Sequence, residues 1–183
     1  MAKLVSKTYG DALFELALEN NQLDSITEEV RAVSPAIAEN EDLSRLMNHP
    51  KIAKEEKIKF IEDVFTGRVC PELVGLMRML VEKGHYNEMV SVFDYFIDRV
   101  KEYRNIGTAY VTSAAELSDA QKKAVEKRLL ETTKYVEFEM HFDVDAALIG
   151  GMKIRIGDRI VDSSVKNKLN LLTRELQNIM IPS

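Results

Sequence analysis

The stretch LIGGMKIRIGDRIVDSSV, Leu148 to Val165, decides how the second half of this chain folds. It combines Gly150, Gly151 and Gly157 with alternating apolar residues and the hydroxyl pair Ser163-Ser164. A phosphate loop needs its glycines between a strand and a helix, so that backbone N–H groups and the helix N-terminus converge on the anion. The spacing here is neither G-x-G-x-x-G nor G-x-x-x-x-G-K-[ST]. The glycines instead lead into one strand and sit in a turn. The stretch therefore reads as a β-hairpin, GGMKIRI against RIVDSS, with Gly157-Asp158 at its turn. Gly151 permits close strand approach, and Gly157 adopts a positive φ. Ser163 or Ser164 then caps a final helix, SSVKNKLNLLTRELQNIM.

Working back from the hairpin, YVEFEMHFDV alternates strictly. Val136, Phe138, Met140 and Phe142 share one face, with Glu137, Glu139, His141 and Asp143 on the other, as in a strand with one wet side. ELSDAQKKAVEKRLLETTK is a helix opened by Ser118, and IGTAYVTSA is a further strand. Before Asn105 the period is helical. The helices read as SKTYGDALFELALEN, DSITEEVRAVSPAIAEN, NEDLSRLMNHP, AKEEKIKFIEDVFTG, CPELVGLMRMLVEKG and YNEMVSVFDYFIDRVKEYRN. The second carries a Ser25-x-x-Glu28 capping box, and Pro35 predicts a kink or early end there. The third stops before Pro50. In the fourth, Ile58, Ile61, Val64 and Phe65 fall at helical period beside Phe60, and Gly67 ends it. Pro71 opens the fifth and Gly84 closes it. The expected fold is α+β: a six-helix bundle over residues 1–105, then a small domain over residues 106–183 with a β-sheet and two helices.

At 183 residues, with 45% hydrophobic and 30% charged side chains, the chain is an ordinary soluble globular protein of one or two small domains. A net charge of −5 argues against a dedicated nucleic-acid binder. The single cysteine, Cys70, excludes an internal disulfide and fits a reducing compartment. MAKLVSKTYGDALFEL lacks the apolar core of a secretory signal, and no run reaches the roughly 18 apolar residues of a membrane span.

Chemistry-bearing clusters are scarce. His49, His85 and His141 fall in different elements, and no C-x-x-C, H-E-x-x-H or EF-hand spacing occurs. No catalytic residue, cofactor site or metal site is expected. Asp143 and Asp145 share one face of an extended segment, an arrangement that serves acid–base work but more often marks a solvated strand edge. KIAKEEKIK and DAQKKAVEKR mix charges at helical spacing and read as solvated faces.

What remains is surplus apolar surface. On the first helix Val5, Tyr9, Ala12, Leu13 and Leu16 cluster on one side, and Leu4, Phe14 and Leu18 on a roughly opposite side interrupted by Asp11. Such a helix is either buried centrally or has one face for the core and another for a partner. The fifth helix has a core stripe of Leu73, Met77, Leu80 and Val81, with Met79 among charged and small residues. Methionine is favoured in helix-in-groove contacts.

The run Leu148-Ile149-Gly150-Gly151-Met152-x-Ile154-Arg155-x-Gly157-Asp158, then Ile160-Val161-Asp162-x-Ser164-Val165, resembles the C-terminal signature of the delta subunits of F-type ATP synthase, the family of the oligomycin-sensitivity-conferring protein. YGDALFELA (Tyr9 to Ala17) resembles that family's first helix, and LMRMLVEKGHYNEMVSVFDYF its fifth and sixth. The likeness covers nearly the whole chain. It implies a non-catalytic stator subunit without a cofactor, peripheral on the cytoplasmic side of a bacterial membrane. The helical domain would bind the alpha (and beta) subunits of the head, chiefly through a groove between its first and fifth helices. The C-terminal domain would hold the C-terminal end of the b subunits of the peripheral stalk, without membrane insertion or nucleic acid. For the alpha groove the resemblance points to Tyr9, Leu13, Met79 and Leu80. Gly150, Gly151, Gly157, Asp158, Asp162 and Ser164 are signature positions with a structural role. Two other readings compete: a generic helical adaptor, and a small nucleotide- or metal-dependent enzyme using Asp143, Asp145 and the Gly150-Gly151 turn.

Overall fold

The computed structural model describes residues 2–169. The chain divides into two compact units, Met1–Tyr103 and Arg104–Ser183. The first comprises α1 (Ala2–Glu19), α2 (Leu23–Ala38), α3 (Glu41–Asn48), α4 (Lys54–Phe65), α5 (Pro71–Glu82) and α6 (Met89–Arg104, whose last residue enters the second unit). A 3-10 turn, Tyr86–Glu88, precedes α6. The core is the apolar stripe of each helix turned inward: Ile26 and Val30 of α2, Ile61 of α4, Leu73, Met77 and Leu80 of α5, and Met89, Val92, Phe93 and Phe96 of α6 are all fully buried. Burial of this kind, not helix propensity, holds short helices together.

Local chemistry sets the helix ends. Asn21 (φ 53) closes α1 and Gly84 (φ 76) closes α5 in the left-handed conformation. In both, the following N–H reaches back five residues, Gln22 to Ala17 and His85 to Leu80, which satisfies carbonyls that the helix leaves open. The Asn40 side chain accepts from the Leu43 N–H and caps α3. Two expectations for α2 are corrected. The helix begins at Leu23 after Gln22, which makes no side-chain cap, so the Ser25/Glu28 box is not its start. Burial of Leu23 draws the first turn upstream of Ser25. Pro35 does not end the helix early. It lies inside α2, which continues to Ala38 because Val33 and Ile37 carry the buried stripe past it.

The second unit holds β1 (Ile106–Ser113), α7 (Asp119–Thr132), β2 (Glu137–Val144), β3 (Met152–Ile156) and β4 (Arg159–Asp162). The strands form a four-stranded sheet in the order β2-β1-β3-β4. β1 and β2 run parallel across the α7 crossover, and β3 pairs antiparallel with both β1 and β4. Ser118 caps α7 through a capping box with Gln121. Ala109, Val111 and Phe138 form the buried side of the sheet. Val136 does not join Phe138 there; it precedes β2 and is exposed. A last helix begins at residue 165 and is described as far as residue 169, so most of the expected final helix lies outside the described residues.

Candidate partner-binding site

Helix α1 uses its two apolar sides differently. One side closes against α6. A Cβ on Gly10 would stand 2.4 Å from Cδ1 of Tyr95, so only glycine lets that ring approach. The Tyr95 hydroxyl donates to Asp11 Oδ1 at 3.1 Å, and Arg99 Nε lies 3.6 Å from the same oxygen. The Arg99 guanidinium also covers the ring of Phe14, which meets Tyr103 edge-on at 5.6 Å. Asp11 thus interrupts the apolar stripe because it anchors the helix to α6. Leu4 stays outside this seam and is largely exposed.

The other side of α1 runs along α5. Asn20 Nδ2 donates to Glu72 Oε1 at one end, and the Tyr9 and His85 rings lie 6.4 Å apart at the other. These two contacts bracket an antiparallel seam and place Met79 at the level of Leu13 and Leu16. Leu13, Leu76 and Leu80 are buried beneath it. Tyr9 is half-buried above them, whereas Leu16 and Met79 are 38% and 47% exposed. Of the four residues expected here, Leu13 and Leu80 form a floor, and Tyr9 and Met79 have surface to offer. Leu16 and Gly75 belong with them. Gly75 sits in the middle of α5 with nothing within 4 Å of an added Cβ. An interior helical glycine costs roughly 1 kcal/mol relative to alanine, a visible signal in the sequence.

The signature residues of the second unit form a backbone knot. Gly151 has φ 77, and a Cβ there would fall 2.6 Å from the Ser163 carbonyl oxygen and 3.1 Å from Ser164 Cα. The Ser163 N–H and hydroxyl both donate to the Met152 carbonyl, at 3.0 and 2.8 Å, and the Val165 N–H donates to the Gly150 carbonyl at 2.9 Å. Asp162 Oδ1 accepts from the Ser164 N–H at 3.0 Å, Ser164 Oγ accepts from the Asn167 N–H at 3.2 Å, and Asn167 Nδ2 donates back to the Asp162 carbonyl. Hydrogen bonds from the Ser164 side chain and then its backbone hold the Asp162 carboxyl below the ordinary carboxylate range. Ser164, and not Ser163, is therefore the cap of the last helix, and it is fully buried. Gly157 (φ 54) and Asp158 form the open turn between β3 and β4.

The residues of the enzyme reading are occupied in local structure. Asp143 accepts from the N–H of Val144, and Asp145 accepts from the N–H of Ala147, where it caps a 3-10 turn. His49 Nδ1 accepts from the Lys51 N–H, His85 lies 3.7 Å from Glu88, and His141 stacks on Tyr110. Among the described residues no three His, Cys, Asp or Glu side chains gather to hold a metal ion. The Cys70 thiol is pushed up to about 11, first by burial and then by a hydrogen bond with Glu29.

Comparison with known proteins bears on the whole chain. The family model described as ATP synthase delta (OSCP) subunit matches residues 5–176. ATP synthase subunit delta of Lachnoclostridium phytofermentans is 54% identical over 181 residues, which cover 99% of this chain and 100% of that protein. The subunit of the same name from Brevibacillus brevis is 33% identical over 175 residues, covering 96% and 99% respectively. A chain in the cryo-EM structure of the Toxoplasma gondii mitochondrial ATP synthase hexamer has the same fold, with a TM-score of 0.72 at 19% identity over 97% of this chain and 98% of that one.

Proposed function

The chain belongs to the ATP synthase delta (OSCP) subunit family, and from that premise we propose that it is a non-catalytic stator subunit. It links the alpha–beta head of the ATP synthase to the peripheral stalk and resists the torque that rotation of the central stalk puts on the head. The first unit holds the N-terminal helices of alpha subunits along the α1/α5 seam, and the second holds the C-terminal end of the b subunits. It works peripherally on the cytoplasmic side of a bacterial membrane. No helix among the described residues is long and apolar enough to cross a membrane.

The observation that carries the alpha site is the unfinished burial of the seam. The α6 side of α1 is closed by Tyr95, Arg99 and Tyr103, but on the α5 side Leu16 and Met79 stand exposed over a floor of buried leucines. An amphipathic helix laid along this strip would bury what the unit alone leaves wet. Calorimetric titration of the full chain with a peptide of the alpha N-terminal helix tests the reading. Tyr9→Ala removes an aromatic anchor and Met79→Glu buries a charge, and each should weaken binding at least tenfold with the fold intact. Unchanged affinity in both variants would remove the seam as the site.

A further inference from the structure

The outer face of the sheet carries a second surface. The strand register sets His141, Tyr110, Arg155 and Ile160 side by side across all four strands, β2 through β4. Residues directly opposite in a ladder share one face. Phe142, of the opposite parity, meets Lys122 of α7 with its ring 5.5 Å away, so the row faces away from α7. The Tyr110 ring stacks on the His141 imidazole at 4.9 Å and an interplanar angle of 17°, and the Arg155 guanidinium lies 4.4 Å from its centroid. A tyrosine that is 43% exposed is thereby held in one orientation. Ile160, 56% exposed, extends the row onto β4. Together these side chains border a shallow depression of about 290 Å³.

Tyrosine and arginine are the side chains most often found at the centre of interfaces, and rigid ones lose little entropy on binding. Stacking occupies the face of the Arg155 guanidinium and leaves its edge N–H donors free to grip a carboxylate. Among the described residues no carboxylate pairs with it. The acidic neighbours in the two flanking rows are engaged elsewhere: Asp143 by the Val144 N–H, Asp162 in the Ser164 knot, and Glu139, opposite Thr108, is not free either. The row therefore asks for a carboxylate over Arg155 and an apolar side chain one strand away over Ile160. That separation is about 5 Å, which matches residues three or four apart on a helix.

We propose that the His141–Tyr110–Arg155–Ile160 face is where the second unit grips the peripheral stalk, through a helix carrying an acidic and an apolar residue on one side. The proposal rests on the reading that this unit holds the b subunit. Binding of the full chain to the soluble part of b, measured by calorimetry, tests it. Tyr110→Ala and Arg155→Ala should each weaken binding about tenfold or more, and Arg155→Glu should weaken it further because it repels the partner's carboxylate. Tyr110→Phe should bind as the parent does. Arg155→Ala should also flatten the dependence of affinity on salt. An urea melt matching the parent's separates lost contact from lost fold. Parent-like binding by Tyr110→Ala and Arg155→Glu would overturn the face while leaving b as the partner. Arg155→Glu binding as well as Arg155→Ala would overturn the acidic helix. Failure of the unaltered chain to bind b would overturn both the face and the reading beneath it.

Discussion

Adding one methyl group at Gly151 and one at Gly157 should give different answers, and the difference follows from the backbone. Both glycines are left-handed, at φ 77 and φ 54. An L side chain in that region costs about 1–2 kcal/mol at either position. At Gly157 the cost ends there, since nothing stands within 4 Å of the new Cβ. At Gly151 the Cβ meets the Ser163 carbonyl oxygen at 2.6 Å, and backbone cannot turn aside as a side chain does. Ser163 is pinned by two hydrogen bonds to the Met152 carbonyl, and Val165 by one to Gly150. Relief means stretching some of these, at about 1 kcal/mol each, so Gly151→Ala should cost about 3–5 kcal/mol in all. With a urea m-value of about 2 kcal/mol per molar, the midpoint of the second unit should fall by about 2 M for Gly151→Ala and about 0.5–1 M for Gly157→Ala. The His141 ring signal in NMR reports that unit selectively. Equal midpoints for the two variants, or a greater loss at Gly157, would refute the knot as the reason for the glycine pair.

Three further outcomes can be checked. Gly75→Ala should stabilise the first unit by about 0.5–1 kcal/mol, because α5 gains a better helix former in open space; a lower thermal midpoint would show that the space is not open. Cys70, with its thiol at about 11 instead of 9.0, should react with a thiol reagent at pH 8 about a hundredfold more slowly than a free cysteine, through its smaller thiolate fraction; a rate equal to that of free cysteine would contradict the Glu29 contact and the burial. Asp162 is held below its ordinary value in the folded chain, so its contribution is present above the ordinary carboxylate pKa and is lost as pH falls through the folded one. The second unit should therefore lose stability below about pH 4, and Asp162→Asn, which keeps an acceptor for Ser164 but cannot titrate, should lose less. An identical acid profile in the two proteins would count against the knot.

The period of the apolar residues was enough to separate a helical half from a sheet half, because burial repeats at 3.6 in one and at 2 in the other. The hairpin turn at Gly157-Asp158 and the cap at Ser118 were equally plain, since each depends on residues close in sequence, whereas the cap of the last helix was narrowed only to Ser163 or Ser164 before the Asn167 contact decided it. Reading the start of α2 failed for a tertiary reason: a buried Leu23 outweighs a good capping pair two residues on. The candidate site was only half legible. Helical wheels showed that α1 is apolar on two sides, but not which side meets α6. That depends on Tyr95 and Arg99, some ninety residues away. The row across the sheet was not legible at all, because His141, Tyr110, Arg155 and Ile160 become neighbours only through strand order and register.

A stator transmits torque only if its two attachments are stiff, and the two candidate surfaces are made stiff by different means. On α1 stiffness comes from behind: Gly10 lets Tyr95 lie against the helix backbone, and Asp11 ties it to Tyr95 and Arg99. Leu16 therefore sits on a helix already fixed from its far side, with the exposed Met79 facing that helix from α5. On the sheet stiffness lies within the surface itself, since Tyr110 is clasped between an imidazole and a guanidinium before any partner arrives. In both cases the ordering entropy is spent on folding and not on docking, so less of the binding energy is lost when the complex forms. The same logic gives the charges of Asp11, Asp162 and Arg155 a mechanical use. Each holds a helix, a turn or a ring in place, and a part that bears load needs such restraints more than it needs a titrating centre.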